Sequence, residues 1–182
     1  MDRAEALELV RQHVSKENNV KHMIAVGAVM RQIAIRLGQD QAQWELIGIL
    51  HDIDFEVCTG AEDHCLRAQE LLQGKLDEEA IECIMAHNSE HTKVPVDTPM
   101  KRALIAADAS SGLVIACALV MPSKRLDDVK PESLVKKFGS KDFAKGVSRD
   151  RIMLCEQIGT PKDEFLAISL EGMRKVAQEL GL

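Results

Sequence analysis

The 182-residue sequence carries 23 basic and 29 acidic side chains, which gives a formal net charge of −6 at pH 7. With this acidic balance, one Trp and four Phe, the chain lacks the basic surface and the stacking residues that nucleic acid polymers require of a binding protein. Its longest apolar run, residues 113–121, is shorter than the roughly 20 residues that span a bilayer. Neither a nucleic acid polymer nor a membrane is therefore expected as a partner.

The cysteines and the amino terminus both indicate a cytoplasmic setting. The five cysteines form no CxxC pair, and an odd number of cysteines does not suggest a disulfide framework. The first residues, MDRAEALELVRQH, carry acid early and lack the basic and then apolar pattern of an export signal. We expect a reducing cytoplasm, and the oligomeric state is left open.

The composition favours an all-α fold. Hydrophobic residues make up 46% of the chain, aromatic residues make up 3%, and Tyr is absent. This mixture of Ala, Leu, Ile, Val and Met is typical of helices, and no stretch alternates with a period of two for long enough to be a strand. We find no internal repeat and no low-complexity linker, so residues 1–182 are expected to form one helical bundle.

Capping residues and stop signals predict the helix boundaries along the chain. In the first half they predict five helices: from Asp2, with Glu5 as a capping box, to about residue 15; from Asn18 or Asn19 to Gly38; from Asp40 to the HDID segment; from Asp63 to Gly74; and from Asp77 through His87. Further on they predict a long apolar helix from about Met100 to Pro122, shorter helices at 131–139 and 148–159, and a final amphipathic helix that opens at 160–164.

Histidines and aspartates interrupt the apolar faces of these helices. His22 shares a helical stripe with Val26 and Val29, and Asp108 shares one with Leu104. A carboxylate in such apolar surroundings is costly to bury unless it is paired or ligated. The same pattern adds the adjacent pair His51 and Asp52, then His87, and His64 in the first turn of the fourth helix. Imidazoles and carboxylates without thiolates suit iron, manganese, zinc or cobalt.

The order of these residues resembles the HD superfamily of metal-dependent phosphohydrolases, which is named for its adjacent His and Asp. The matching positions are His22, His51, Asp52 and Asp108, all predicted to lie on helices. The resemblance covers roughly residues 15–120 and leaves a helical extension at about 123–182 outside it. It implies an all-α, single-domain bundle of the HD type over residues 1–182, in which the four side chains hold one divalent metal ion.

Two more histidines resemble the branch of the superfamily that includes the HD-GYP type, which holds two ions. His64 and His87 follow the HD pair in the corresponding order. The implied ligand sets are His22, His51 and Asp108 for one ion and His64 and His87 for the other, with Asp52 between them. One or two divalent ions are expected, with iron or manganese favoured over zinc, cobalt or magnesium. His91 is left open between a substitute ligand, a substrate contact and a surface histidine.

The sequence departs from the family pattern just after the HD pair. Many relatives carry Lys or Glu four positions after the His, where this chain has Phe55, and its acids fall instead at Asp54 and Glu56. The GYP signature is absent, so nothing favours cyclic-di-GMP as the substrate. For Asp54, a general acid or base role, a role in supporting a ligand and a simple helix-end turn are all left open.

These features predict a metal-dependent phosphohydrolase that uses metal-activated water to cleave a phosphate ester or anhydride. Its expected partner is a nucleotide or another small phosphorylated metabolite. The candidate catalytic residues are Asp52 and Asp54, and the candidate substrate contacts are His91, Lys124 and Arg149, with Arg125 and Arg151 as neighbouring alternatives. Two alternatives are a noncatalytic sensory module that binds a metal or nucleotide, and a di-iron oxygenase on the same scaffold.

Overall fold

The computed structural model describes residues 1–182, and all of the named elements are helices. The all-α fold predicted from the composition is therefore confirmed. The α-helices are α1 (Arg3–His13), α2 (Glu17–Leu37), α3 (Gln41–Leu50), α4 (Leu66–Leu72), α5 (Glu78–Ala86), α6 (Ser89–Thr92), α7 (Pro99–Leu119), α8 (Pro131–Phe138), α9 (Arg149–Met153), α10 (Lys162–Lys175) and α11 (Ala177–Leu180), and two 3₁₀ helices span Leu126–Asp128 and Leu154–Ile158.

Helices α2 and α3 meet at a contact between two glycines. A Cβ atom on Gly48 would lie 2.6 Å from the Cα of Gly27, and a Cβ on Gly27 would lie 2.6 Å from Cγ1 of Ile49. Because Cβ atoms do not approach other atoms this closely, only glycine allows the two helices to lie directly against each other. His22 lies on α2 and His51 follows α3, so this contact fixes the separation of those two histidines.

Helices α7 and α10 pack against other faces of α2. Gly172 of α10 approaches the α2 backbone, since a Cβ there would lie 2.6 Å from the carbonyl oxygen of Ala28. Helix α7 is long and apolar enough to cross a membrane by composition alone, but 61% of its most apolar window is buried inside the protein. That burial is what a core helix requires.

One hydrophobic cluster joins the part of the chain that carries the HD pair to the C-terminal extension. It includes Trp44 of α3, Leu104 of α7 and Phe165 of α10, all buried. A single domain over residues 1–182 stays a prediction, and this shared core supports it. The predicted capping box of Asp2 and Glu5 is confirmed at α1.

A distant carboxylate holds the two residues that precede α2. The prediction that Asn18 or Asn19 caps this helix is wrong, because α2 already begins at Glu17 and its N-cap residue offers no side-chain hydrogen bond. The Glu56 carboxylate instead accepts hydrogen bonds from the Ser15 hydroxyl at 2.7 Å and from two backbone N–H groups, those of residues 15 and 16, at 3.0 and 2.9 Å. The Ser15 hydroxyl is the largest cause that lowers the pKa of Glu56 to about 2.

The start of α4 also differs from the prediction. Asp63 does not cap this helix but accepts a hydrogen bond from the backbone N–H of Thr59 at 3.0 Å. The N-cap residue is Cys65, whose backbone has a left-handed conformation with φ of 70°. His64 therefore lies in the turn before α4 and not in its first helical turn.

Candidate metal centre

Six side chains from five segments of the chain meet in a largely buried cluster. Their donor atoms form overlapping groups of three that lie within 4.8 Å of one another. These six residues are the ones that the sequence analysis named as metal ligands: His22 of α2, His51 and Asp52 after α3, His64 before α4, His87 after α5 and Asp108 of α7.

Asp52 lies at the middle of the cluster and presents its two oxygens to different histidines. Oδ2 is 3.4 Å from Nε2 of His51 and 3.7 Å from Nε2 of His22. Oδ1 is 3.3 Å from Nε2 of His64 and 3.2 Å from Nε2 of His87. The carboxylate thus divides the cluster into an α2 side, with His22 and His51, and an α4 side, with His64 and His87.

Asp108 completes the α2 side. Its Oδ1 lies 3.3 Å from Nε2 of His22, while the Ser111 hydroxyl oxygen lies 3.3 Å from Nδ1 of the same ring. Ser111 donates its own proton to the backbone carbonyl of Asp108 at 2.8 Å. The hydroxyl oxygen must therefore accept the proton of His22 Nδ1, which leaves Nε2 as a lone pair that faces the two carboxylates.

The other three imidazoles are oriented in the same sense. Nδ1–H of His51 donates to the carbonyl of Gly48 at 2.8 Å, and Nδ1–H of His87 donates to the carbonyl of Ile84 at 2.6 Å. Nδ1–H of His64 donates to a buried carboxylate at 2.9 Å. An acceptor on Nδ1 fixes the tautomer of a histidine and frees Nε2 for a metal, so all four rings present a ligand atom to the centre.

The four inward nitrogens share few partners within the protein, namely the two oxygens of Asp52 and one oxygen of Asp108. Nε2 of His51 is buried without a hydrogen bond, and Nε2 of His64 lies 3.1 Å from Nε2 of His87. Two unprotonated nitrogens at that distance would repel each other, so the pair requires either a proton or a cation. Metal–ligand bonds of about 2.0–2.2 Å hold neighbouring ligand atoms about 3–3.5 Å apart, which is the spacing seen here. A divalent cation would satisfy each of these atoms, so the residues fit a metal.

The histidines of the cluster differ in their affinity for protons. Burial lowers the pKa of His51 to about 4. Burial also lowers the pKa of His87. The hydrogen bond between His87 and Asp52 is among the effects that outweigh burial, and the pKa of His87 rises to about 10. Asp52 and Asp54 likewise hold the pKa of His64 above its ordinary value despite burial. Burial alone would raise the pKa of Asp52, yet the surrounding imidazoles hold it well below its usual range.

Asp54 lies behind His64 and does not face the centre. Its side chain is 0% exposed, and Oδ1 accepts the hydrogen bond from His64. Oδ2 accepts hydrogen bonds from the backbone N–H groups of Cys65 at 2.7 Å and Ala68 at 2.9 Å. We therefore revise the interpretation of Asp54 as a catalytic residue, because both oxygens are occupied and no substrate can reach them. Its contacts are those of a residue that positions a ligand.

Two of the three predicted substrate contacts lie elsewhere. Lys124 lines a surface cleft with Arg174 and the C-terminal Leu182. The guanidinium group of Arg149 donates hydrogen bonds to the backbone carbonyls of residues 137, 138, 140, 143, 144 and 147. Arg149 thus stabilises the loop after α8, and we correct its interpretation as a substrate contact, as we do for Lys124.

The third predicted contact, His91, is exposed on the short helix α6. Helix α5 ends at Ala86, so it does not continue by another turn to bring His91 beside His87. The side chain of His91 belongs to none of the groups of converging donor atoms. This position favours the surface alternative over a ligand.

Arg151, named only as an alternative, is the arginine that reaches the centre. Its Nη2 lies 3.3 Å from Oδ2 of Asp108 and donates to the carbonyl of His87 at 3.1 Å. The side chain is 39% exposed and lies between a cleft of about 290 Å³ beside His22 and one of about 370 Å³ beside His87. Both Arg149 and Arg151 could be named from the sequence, but only the packing of α9 decides which arginine points inward.

One thiol, that of Cys65, borders the α4 side and was not among the predicted ligands. Its Sγ lies 3.4 Å from Nδ1 of His87. Burial raises the pKa of this thiol, but contacts with His64 and His87 outweigh burial and lower it. No sequence motif marks this cysteine, because its position beside His87 depends on a turn and not on a spacing.

Comparison with known proteins agrees with this geometry. The family model of the HD domain matches residues 19–112, which is more than half of the 182 residues and includes all six ligand candidates. No curated protein and no solved structure matches the chain. HD domains bind divalent metals, and most are metal-dependent hydrolases. The helical fold, the inward histidines and this match together show that the chain belongs to the HD domain family.

Proposed function

We propose that the protein is a metal-dependent phosphohydrolase that cleaves a phosphate ester or anhydride of a nucleotide or another small phosphorylated metabolite. The observation that carries the proposal is the convergence of four Nε2 atoms on the two oxygens of Asp52. Divalent ions bound there would activate water and offset the negative charge of phosphoryl oxygens. Without such ions an acidic cluster in an acidic protein has little attraction for a phosphate.

We further propose two ions, one on the α2 side and one on the α4 side. Support comes from the separate contacts of the Asp52 oxygens, since each oxygen faces its own pair of imidazoles. A carboxylate in this position can bridge two cations. The mixture of imidazole and carboxylate ligands supports iron or manganese over zinc, cobalt or magnesium.

The hydrogen bonds behind the ligands supply the rigidity that catalysis needs. The carbonyls of Gly48 and Ile84 hold the rings of His51 and His87, and Asp54 holds the ring of His64. Each of these acceptors is fixed by a helix end or by burial. The ligand nitrogens are therefore oriented before a substrate arrives, and no binding energy is needed to order them.

Arg151 is proposed to bind a phosphoryl oxygen at the rim of the centre. Its guanidinium is partly exposed and lies beside Asp108 and the carbonyl of His87. An arginine donates several hydrogen bonds in a fixed geometry that matches phosphate. The clefts on its two sides measure about 290 and 370 Å³, which suits a small metabolite. We propose a cytoplasmic location, which five unpaired cysteines support.

The decisive experiment measures metal content and phosphate release together. The purified protein is analysed for bound metals and then screened for phosphate release from nucleotides and small phosphorylated metabolites, with Mn, Fe, Co, Mg or Zn added. Release that depends on metal and is lost in His51→Ala and Asp52→Ala supports the proposal. His13→Ala, a change on α1 outside the centre, should keep the activity.

Two other outcomes would contradict the proposal in different ways. A protein that binds metal but releases no phosphate from any compound would be a binding or sensory module. A protein that holds iron and consumes oxygen in the presence of an organic substrate would be an oxygenase. Either outcome would support the metal centre and refute the hydrolytic function.

A further inference from the structure

The guanidinium group of Arg149 is surrounded by backbone carbonyls and not by carboxylates. Its Nη1 donates to the carbonyls of Ala144 at 2.7 Å and Val147 at 2.9 Å, and its Nη2 donates to the carbonyl of Ser140 at 3.3 Å. None of its acceptors belongs to an acidic side chain. A lysine could not make these contacts, because its donors all lie on one nitrogen. The arginine thus fixes the path of residues 137–147 around itself.

The conformation of Ala144 shows that this loop is shaped around the guanidinium. Its φ of 47° lies in the left-handed region, which is unfavourable for a residue with a side chain. The carbonyl of Ala144 accepts Nη1–H of Arg149 at 2.7 Å and the backbone N–H of Val147 at 3.0 Å. These hydrogen bonds offset the unfavourable backbone, so loss of the guanidinium is expected to release the loop.

The same loop forms one wall of the cleft beside the metal centre. Residues 146–148 line this cleft of about 290 Å³ together with His22 and Asp108. A Cβ atom on Gly112 would lie 3.2 Å from Cγ2 of Val147, so the loop rests on α7 about one helical turn beyond Asp108. A displacement of the loop would therefore change the surroundings of the α2 side of the centre.

Arg149 is linked to Arg151 through the start of α9. Both arginines lie on this five-residue helix, and the hydroxyl of its N-cap residue, Ser148, accepts the backbone N–H of Arg151 at 3.3 Å. Arg151 extends from there to Oδ2 of Asp108 at 3.3 Å and donates to the carbonyl of His87 at 3.1 Å. A helix this short is not stable by itself, so its contacts with neighbouring segments decide where Arg151 points.

We propose that Arg149 is a positioning residue that aims Arg151 at a phosphoryl group bound at the metal centre, and that it does so by holding residues 137–148 against α7. Arg149 itself stays behind the loop, where backbone carbonyls occupy its donors. The inference rests on the phosphoryl substrate of the proposed function and on the contact of that substrate with Arg151. It adds a residue that determines affinity without touching the substrate.

The test measures the binding of inorganic phosphate to the metal-loaded protein by isothermal titration calorimetry, so it needs no turnover. Arg149→Lys keeps the charge but loses the planar set of donors. The phosphate affinity of this variant should fall about tenfold or more, the loss expected when a hydrogen bond to a charged group is broken, while its metal content stays unchanged.

Arg174→Lys is the matched control. Arg174 likewise donates to backbone carbonyls, those of residues 126, 127 and 129, but the cleft that it lines contains none of the six ligand candidates. This variant loses the same kind of contact at a distance from the centre. It should keep the phosphate affinity of the wild type.

A double variant distinguishes positioning from a merely structural role. If Arg149 acts through Arg151, then Arg149→Lys should cause no further loss of phosphate affinity in protein that already carries Arg151→Gln, so the two effects are not additive. An equal loss with and without Arg151→Gln would overturn the proposal. Wild-type phosphate affinity in Arg149→Lys would overturn it as well.

A second pair of variants tests the loop where Arg149→Lys does not fold. Ala144→Val places a β-branched residue in the left-handed region and should weaken phosphate binding. Ala144→Gly accepts that conformation and should keep the binding. Circular dichroism and metal analysis check that each variant is folded and loaded. Equal phosphate affinity in the two variants would overturn the proposal.

The outcomes separate this inference from the proposed function. Phosphate binding that depends on Arg149, without hydrolysis of any compound, would overturn the hydrolase and leave the positioning role. Hydrolysis together with a phosphate affinity that does not depend on Arg149 would overturn the positioning role and leave the hydrolase. Metal-loaded wild-type protein that binds no phosphate would overturn the inference, and the phosphate-release screen would still decide the function.

Discussion

Nε2 of His64 and Nε2 of His87 lie 3.1 Å apart, and Oδ1 of Asp52 lies within 3.3 Å of both. Each ring has its Nδ1 committed to an acceptor behind it. The pair can be stabilised by a proton or by a cation, and the geometry of three donor atoms around one point favours the cation. Several measurable properties follow from this competition.

Removal of bound ions is expected to lower thermal stability. An ion present at 100 times its Kd stabilises the folded protein by about 2.7 kcal/mol, which corresponds to a midpoint shift of about 5–10 °C for a chain of this size. Differential scanning calorimetry with and without a chelator measures the shift. Asp52→Asn removes the charge of the shared ligand and should show little response to the chelator. An unchanged wild-type midpoint would argue against bound metal.

Metal affinity is expected to rise with pH. The hydrogen bond to Asp52 helps to raise the pKa of His87 to about 10 against burial, from an ordinary value of 6.5, so a cation must displace a proton at neutral pH. The association constant should increase about tenfold per pH unit for each displaced proton. Without ions, this protonation stabilises the fold below about pH 6.5, and the stabilisation is lost as the pH rises through about 10. Calorimetric titrations at several pH values test the slope, and a flat profile would contradict it.

Glu56→Gln is expected to destabilise the start of α2 in a pH-dependent way. The hydrogen bonds from Ser15 and neighbouring groups depress the pKa of Glu56 to about 2 from 4.5. The stabilisation is therefore present above about pH 4.5 and is lost as the pH falls through about 2. Denaturation midpoints of wild type and variant should differ at pH 7 and converge in acid. Glu8→Gln, an exposed change on α1, should show no such difference. Equal behaviour of the two variants would refute the stabilising role of Glu56 before α2.

Gly48→Ala is expected to disturb both stability and the centre. The added Cβ would lie 2.6 Å from the Cα of Gly27, a backbone atom that cannot rotate away, and overpacking of this kind costs about 1–3 kcal/mol. The Gly48 carbonyl also orients His51, so metal affinity should fall as well. Urea denaturation and metal titration measure the two effects. Gly139→Ala, where the Cβ would lie 3.6 Å from its nearest neighbour, should change neither.

Arg151→Gln is expected to weaken substrate binding. A hydrogen bond to a charged group contributes about 1.5–3 kcal/mol, so kcat/KM should fall about 10- to 100-fold, mainly through KM. Steady-state kinetics on the substrate found by the screen measure the split. Arg125→Gln, which removes an exposed partner of Asp127, is the matched control. An unchanged KM in Arg151→Gln would show that the guanidinium has only a structural role.

The sequence could reveal the candidate ligands because each one breaks a visible pattern. His22 and Asp108 interrupt apolar helical stripes, and such positions need a partner wherever the helices pack. The adjacent pair His51 and Asp52 follows the end of α3, where the chain leaves the helix. These sequence patterns are local, so they can be recognised without knowledge of the tertiary structure.

The remaining parts of the centre depend on contacts between distant segments. Asp54 is two positions after Asp52, but the turn that follows α3 directs it behind His64 and away from the centre. The choice of Arg151 over Arg149 depends on how α9 packs, and the approach of Cys65 to His87 depends on a left-handed residue that no spacing indicates. Tertiary packing therefore determines the positions of all three side chains, Asp54, Arg151 and Cys65.

The close approach of Gly172 to the carbonyl of Ala28 shows how trimming would affect the protein. The family model matches residues 19–112. A shortened protein limited to those residues would lack α10, which packs against α2, the helix that bears His22. Apolar side chains on that flank would meet water, and the histidine would lose its rigid support. Any shortened version intended for laboratory work should therefore retain the C-terminal helices.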